Sequence, residues 1–382
     1  MVRVLGIDPG TKSLDLCGLE YGEVYFEESL ETVDVAKDPK LLINAIDRAL
    51  PLDLITGPSG YGVEITYLDE VGEDVLEEWY YTYILLTSKD EIERALRKGF
   101  VGAFIYYAMT QIVKEMKRRK LPVCFIPGVI NLPTVPIHRK INKVDMGTAD
   151  KLSVTVLATH DQAKRLSIPY SEVSLILVEV GFGYNAVIGV RGGKIVDGFG
   201  GTTMLGPGFL TMSWTDLELI QLVGTWEKAD VFTGGCASIT GRLSPEELIR
   251  DSEVDERCRI AWEAMMEGVE KAVMAMTASV PKPREIIVSG RLVKIPKVYN
   301  ELVERLSKIG SVRKITPLPH AKIVKETAQG YAVIADGIAG GVFKELIEYM
   351  EVKKARGTCV DYIYHPKFNK IRERLIPFKL KQ

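Results

Sequence analysis

One pattern constrains this chain more than any other, because it occurs twice. A short apolar strand ends in an acid, a glycine-rich turn follows, and two more strands come after it. The first copy runs through residues 4–7, turns at Asp8-Pro9-Gly10, continues over 14–19, turns again at Tyr21-Gly22 and ends at 24–26. The second runs through 175–180, turns at Gly181-Phe182-Gly183, continues over 186–190, turns at Arg191-Gly192-Gly193 and ends at 194–196. Tight connections of this kind make neighbouring strands antiparallel. The copies begin roughly 170 residues apart, about the length of one domain. That spacing predicts a duplicated α/β fold, although identity between the halves is low and the pattern alone carries the inference.

The stretches after each copy are mostly helical. Residues 39–49 read as a helix with Asp38 as its cap and Pro39 in the first turn, and 54–56 as a strand. The charged stretch near 67–98 interrupts the pattern and reads as a surface insertion. A long helix over 100–119, with an apolar body and a basic end, reads as buried. Residues 123–126 form a strand, followed by a long loop over 127–148. In the second half, helices are expected over 254–278 and 295–308, a strand over 285–288, and one long helix over 321–349. A chain of 382 residues suits two domains. The expected division is 1–160 completed by 321–382, and 170–320 as the second domain. Beyond residue 350 the chain is basic and carries no readable pattern.

Bulk properties exclude some roles. A net charge of −2 gives no electrostatic footprint for nucleic acid. No apolar run approaches the roughly 20 residues of a membrane span, and the first residues do not resemble a secretion signal. Five scattered cysteines without a paired spacing suit a reducing, cytoplasmic setting better than a disulfide framework or structural zinc. Cys236 reads as an inert thiol, Trp214, Trp226 and Trp262 as core or interface residues, and His160 and His320 belong to no readable motif.

The first turn, Gly6-Ile7-Asp8-Pro9-Gly10-Thr11-Lys12, has the composition of an anion site. Glycine admits close approach and exposes backbone N–H donors. Thr11 and Lys12 add a hydroxyl and a charge, and Asp8 can hold a hydrated magnesium ion. Asp-Pro-Gly is equally a good hairpin turn. Glu179-Val180-Gly181-Phe182-Gly183 repeats the design, and two such turns weigh more than one. The third element, Val288-Ser289-Gly290-Arg291, is a strand followed by a small turn against which adenine or ribose can lie; it also suits a plain strand-to-helix connection. In the long loop, His138, Arg139, Lys140 and Lys143 concentrate positive charge suited to a carboxylate or phosphate. Asn142 lies among them, and Asp145 and Asp150 can take a proton or a metal. Such residues are also ordinary for a solvated loop, and Asp150 suits the first turn of a helix capped by Thr148.

These three elements, in this order, resemble the acetate kinase, sugar kinase, Hsp70 and actin superfamily. The resemblance implies two RNase H-like domains of βββαβαβα type with ATP or ADP and Mg²⁺ in a cleft between them. It matches Gly6, Gly10, Thr11 and Lys12 to the first phosphate motif, Gly181 and Gly183 to the second, and Ser289, Gly290 and Arg291 to the adenosine motif. Asp8 and Glu179 become the implied metal-side acids. The helix from residue 321, rich in Ala and Gly, resembles the helix that connects the domains. Glu179 departs from the usual Asp of the second motif, and Tyr184-Asn185 from the usual Ser or Thr. Asn142-Lys143-Val144-Asp145-Met146-Gly147-Thr148-Ala149-Asp150-Lys151, with 198–208 and Lys325-Glu326-Thr327-Ala328-Gln329-Gly330, resembles an archaeal family labelled predicted butyrate kinase. The expectation is a kinase for a small carboxylate, with Asp8, Glu179, Asp150 and Arg139 as catalytic candidates. Lys140, Asn142, Lys143 and Asp145 are the substrate candidates. The carboxylate-kinase resemblance also implies a homodimer. An ATPase switch or a regulatory ATP-binding protein of the same superfamily is the alternative.

Overall fold

The computed structural model describes residues 2–373 and 375–378. Met1, residue 374 and 379–382 of the expected first domain lie outside them. The chain divides into two compact units, one of residues 1–144, 148–160 and 317–382, the other of 145–147 and 161–316.

The first unit is built on a six-stranded sheet. Its strands are β1 (Arg3–Pro9), β2 (Ser13–Glu20), β3 (Glu23–Glu31), β4 (Leu54–Thr56), β5 (Thr66–Tyr67) and β6 (Val123–Phe125), in the order β3-β2-β1-β4-β6-β5. The hairpins pair β1 with β2 and β2 with β3 antiparallel, whereas β4 lies parallel to β1, and β6 parallel to β4. Val4, Leu5 and Ile7 are wholly buried. An unbroken apolar run is what a central strand covered on both faces requires.

The second unit repeats the plan with β7 (Ser174–Val180), β8 (Asn185–Arg191), β9 (Lys194–Phe199), β10 (Glu285–Ser289) and β11 (Ser311–Lys314). Their order is β11-β10-β7-β8-β9, with β7, β10 and β11 mutually parallel. Read from β9, this matches β3-β2-β1-β4-β6 strand for strand. The fold is therefore α/β with two RNase H-like units, and the twofold pattern in the sequence is a twofold topology. The Glu256–Met276 helix packs its apolar face, including Cys258, Met265, Val269 and Val273, into the core of this unit.

Four expectations need correction. The stretch near 67–98 does not lie wholly at the surface. It forms the Leu76–Trp79 helix and a π-helical turn at Tyr80–Ile84, and buries Trp79, Tyr80 and Tyr81. Trp79 packs 5.3 Å from Phe125 of β6; flanking charges disguised a core segment. The Val101–Arg118 helix is buried on one face only, since Val101, Phe104 and Tyr107 are exposed. The helix expected over 321–349 starts at Glu326 and stops at Ile338, and a second runs Lys344–Tyr349. Gly340 has φ +87°, which favours glycine and ends a helix. Asp336 fixes the break by accepting the Phe343 N–H at 2.7 Å. The 39–49 helix begins one residue later, at Lys40, and Asp38 accepts the Lys40 N–H. Among the described residues, no helix is long and apolar enough to cross a membrane.

Candidate functional site

The hairpin that opens the chain sets two carboxylates face to face. In the β1–β2 register Asp8 stands directly opposite Asp15. Both side chains are only 2 % exposed. Like charges at opposed positions of an antiparallel pair repel, so a cation must lie near them. Lys325 supplies it, with its ammonium 2.7 Å from Asp8 Oδ2 and 3.3 Å from Asp15 Oδ2. The Thr327 hydroxyl donates to the same Asp8 oxygen at 2.7 Å. Asp15 is held by the hydroxyls of Ser13 and Ser29.

The Glu326–Ile338 helix reaches this point because β1 has no side chain in its way. A Cβ on Gly6 would lie 2.3 Å from Ala332 N and 2.7 Å from Ala328 O. Gly6, expected to contact phosphate, is instead buried under this helix. Gly10 is the glycine of the turn that borders the acids, and a Cβ there would sit 2.5 Å from Lys325 Nζ. The turn is pinned by Thr32, which donates its hydroxyl to Gly10 O at 2.8 Å. Thr11 is exposed, and Lys12 forms an exposed pair with Glu31 at 3.8 Å.

Asp150 joins the same group. It lies in the first turn of the Ala149–Leu166 helix, with Lys151 Nζ at 2.7 Å from Oδ2 and the Thr148 hydroxyl on Oδ1. Its environment and that of Asp8 push the two acids apart. Burial raises the Asp8 carboxyl above its ordinary value; Lys325 works against this, while Asp150 and Asp15 add to it. Burial opposes ionisation of Asp150 as well, but Lys151, Thr148 and Lys325 together hold its carboxyl below the ordinary value. Tyr331, four residues beyond Thr327, is fully buried. Burial raises its pKa well above the usual tyrosine value, and the charges of Asp150 and Asp8 add to the rise.

In the second unit the structure brings two motifs together. Ser289 is the register partner of Glu179, because β10 lies beside β7. Gly290 has φ +104°, and a Cβ there would meet Val180 O at 2.4 Å. Arg291 begins the short helical turn that follows. The 181–184 turn closes by a Gly181 N–H to Tyr184 O bond of 2.9 Å. Phe182 packs on Phe209 with ring centroids 5.3 Å apart, and the Gly183 carbonyl accepts the N–H groups of Leu210 and Thr211. The buried Glu179 carboxylate lies close over Gly181, since a Cβ there would be 3.3 Å from both of its oxygens. The Asn185 amide is buried with neither polar atom bonded. Such a group is rare in a native fold and marks a turn that does more than reverse the chain.

Three of the loop residues bond within the loop or to the 362–364 segment. Lys140 is turned inward and donates to Leu132 O at 2.8 Å and to the Tyr362 hydroxyl at 3.3 Å. Lys143 donates to Arg139 O at 2.7 Å. Asn142, at φ 55°, accepts the Tyr364 N–H at 2.8 Å. These side chains fasten the loop and the 362–364 segment. Arg139 lies in the short Ile137–Lys140 helix. Asp145 belongs to the second unit, where it accepts from Gly147 N at 3.0 Å and Thr202 N at 3.1 Å. Asp15, Lys151, Lys325, Thr327 and Tyr331 were missed as site residues. The hairpin register would have found Asp15, and the distant helix start supplies Lys325 and Thr327 only through the fold.

No curated protein matches this chain in sequence. Solved structures share its fold: an acetate kinase from Porphyromonas gingivalis, 12 % identical, covers 88 % of this chain and 99 % of its own at a TM-score of 0.57. A propionate kinase from Francisella tularensis, also 12 % identical, covers 87 % and 98 % at 0.57. An acetate kinase from Entamoeba histolytica, 13 % identical, covers 80 % and 86 % at 0.52. A family model described as a protein of unknown function, DUF1464, matches residues 6–365. With nearly its whole length covered by that model, the chain belongs to the DUF1464 family.

Proposed function

We propose that this protein is an ATP-dependent phosphotransferase acting on a small carboxylate, in either direction between carboxylate plus ATP and acyl phosphate plus ADP. The observation that carries the reading is the assembly of buried Asp8 and Asp15 with partly exposed Asp150 and Lys325 and with Lys151 beside the Gly10 turn. The similarity of fold to acetate and propionate kinases supports the reaction class.

The donor set fits a hydrated magnesium ion rather than an enclosed one. Among the described residues, no three His, Cys, Asp or Glu side chains come together as a metal cage. Mg²⁺ retains waters and uses one or two carboxylates plus phosphate oxygens, which Asp8 and its opposite Asp15 can provide. Bound Mg·ATP would supply the phosphoryl group and neutralise charge developing on it. The residues of the chain do the positioning. The Gly10 turn admits a phosphate tail without a Cβ in the way, Lys151 and Lys325 offer ammonium groups, and Asp150 stays ionised to orient a donor. In the second unit, Gly181 and Gly183 line a backbone-rich turn, and Gly290 brings main chain against Val180, leaving a flat edge suited to a nucleoside. Glu179 is the acid of that turn. The setting proposed is cytoplasmic, where buried thiols such as Cys17 and Cys124 stay reduced.

ADP release should be measured with Mg·ATP and a panel of short-chain carboxylates, sugars and polyols. Acceleration by at least one carboxylate is expected. Turnover indifferent to every carboxylate would instead identify an ATPase switch and overturn the reading.

A further inference from the structure

We propose that Lys325 is an exchangeable internal cation: its ammonium occupies the position between Asp8 and Asp15 that a divalent metal takes when nucleotide arrives, and the freed side chain then turns to a phosphate oxygen. The inference deepens the kinase reading and rests on it for the identity of the ligand.

Three observations carry it. Asp8 and Asp15 are opposed in register and nearly buried, so two carboxylates there favour a cation in the gap between them. The charge present is attached to the last extended residue before the Glu326–Ile338 helix, with φ −64° and ψ 159°. No helical turn locks that side chain, and it is 19 % exposed, so its outer end can leave without breaking the fold. The ammonium also borders the Gly10 turn, where an incoming phosphate would lie. When it leaves, Asp8 Oδ2 keeps the Thr327 hydroxyl as donor.

A consequence follows for metal binding. A divalent ion alone must displace the bonded ammonium and gains few ligands in return. With nucleotide it gains phosphate oxygens, and the ammonium gains a new anionic partner. Metal and nucleotide should therefore bind the wild type cooperatively, through Lys325.

Mn²⁺ binding by water-proton relaxation tests this without turnover. For wild type, Mn²⁺ should bind weakly alone and much more tightly with a non-hydrolysable ATP analogue. Lys325→Met should tighten Mn²⁺ binding alone at least tenfold and shrink the enhancement by the analogue, and adding Asp15→Asn should remove that gain. Lys325→Arg, which keeps the charge, should retain weak binding. Lys325→Gln serves as the neutral variant where Lys325→Met does not fold. Neutral variants that bind Mn²⁺ no more tightly than wild type would overturn the exchange, even with carboxylate-dependent ADP release intact. Tightening in a protein that releases no ADP with carboxylates would leave the exchange standing and remove the kinase.

Discussion

Lys325 donates its ammonium to Asp8 across 317 residues of sequence, at 2.7 Å. The pair joins the first strand of the chain to the start of its last long helix, within one compact unit. Asp8 is thus both a fold contact and the acid at the centre of the proposed chemistry.

Replacing Asp8 by Asn separates those roles. The amide keeps the shape and can accept from Thr327, while Lys325 keeps Asp15. Carboxylate-dependent ADP release should fall about a hundredfold or more. The melting temperature should move by no more than about 4 °C. Near-wild-type turnover in Asp8→Asn would place the metal elsewhere.

Gly330 tests how closely the Glu326–Ile338 helix must pack. An added Cβ would lie 2.1 Å from Ser153 O, a backbone atom that cannot step aside. Gly330→Ala should cost about 1–3 kcal/mol or more in urea unfolding, as overpacking does. An unchanged midpoint would show that the helix can shift.

Burial depresses the Lys140 ammonium to about 8 from 10.5. Between these values the unfolded chain holds a proton that the folded chain has lost, so the contribution of this group to stability rises with pH across that window. Compared by urea unfolding at pH 7.5, 9 and 10, wild type should gain stability relative to Lys140→Met as pH rises. Parallel curves would mean that Lys140 keeps its charge.

The C-terminal segment is tied to the 67–98 region. Trp79 donates its indole N–H to Phe378 O at 3.0 Å and stacks on the Phe378 ring. Ending the chain at residue 370 should lower stability by about 2–4 kcal/mol, from a lost aromatic pair and an unsatisfied buried donor. Tryptophan fluorescence should also shift to the red; no change in either would show that the strap is dispensable.

The strand plan was legible because hairpins are local: turn residues and apolar runs marked β1, β2, β7 and β8 to within two residues at either end, while β3 and β9 run on past their expected ends. Asp8 stood out at the end of its strand, whereas Asp15 looked like one more polar residue until the register placed it opposite. Trp79, Tyr80 and Tyr81 were hidden among charges, because burial of that segment depends on packing against β6. Lys140 shows the opposite failure: a lysine in a basic loop suggests anion binding, yet its stem and ammonium serve Leu132 and Tyr362. Lys325, Thr327 and Tyr331 become site residues only when the helix docks on β1, a long-range event that no local pattern records.

Trapping with hydroxylamine tests the central claim most directly. With Mg·ATP and the carboxylate that best accelerates turnover, an acyl phosphate product would be captured as the hydroxamate. The account predicts hydroxamate in one-to-one proportion to ADP, and none from Asp8→Asn. ADP formed without hydroxamate from any carboxylate would contradict it.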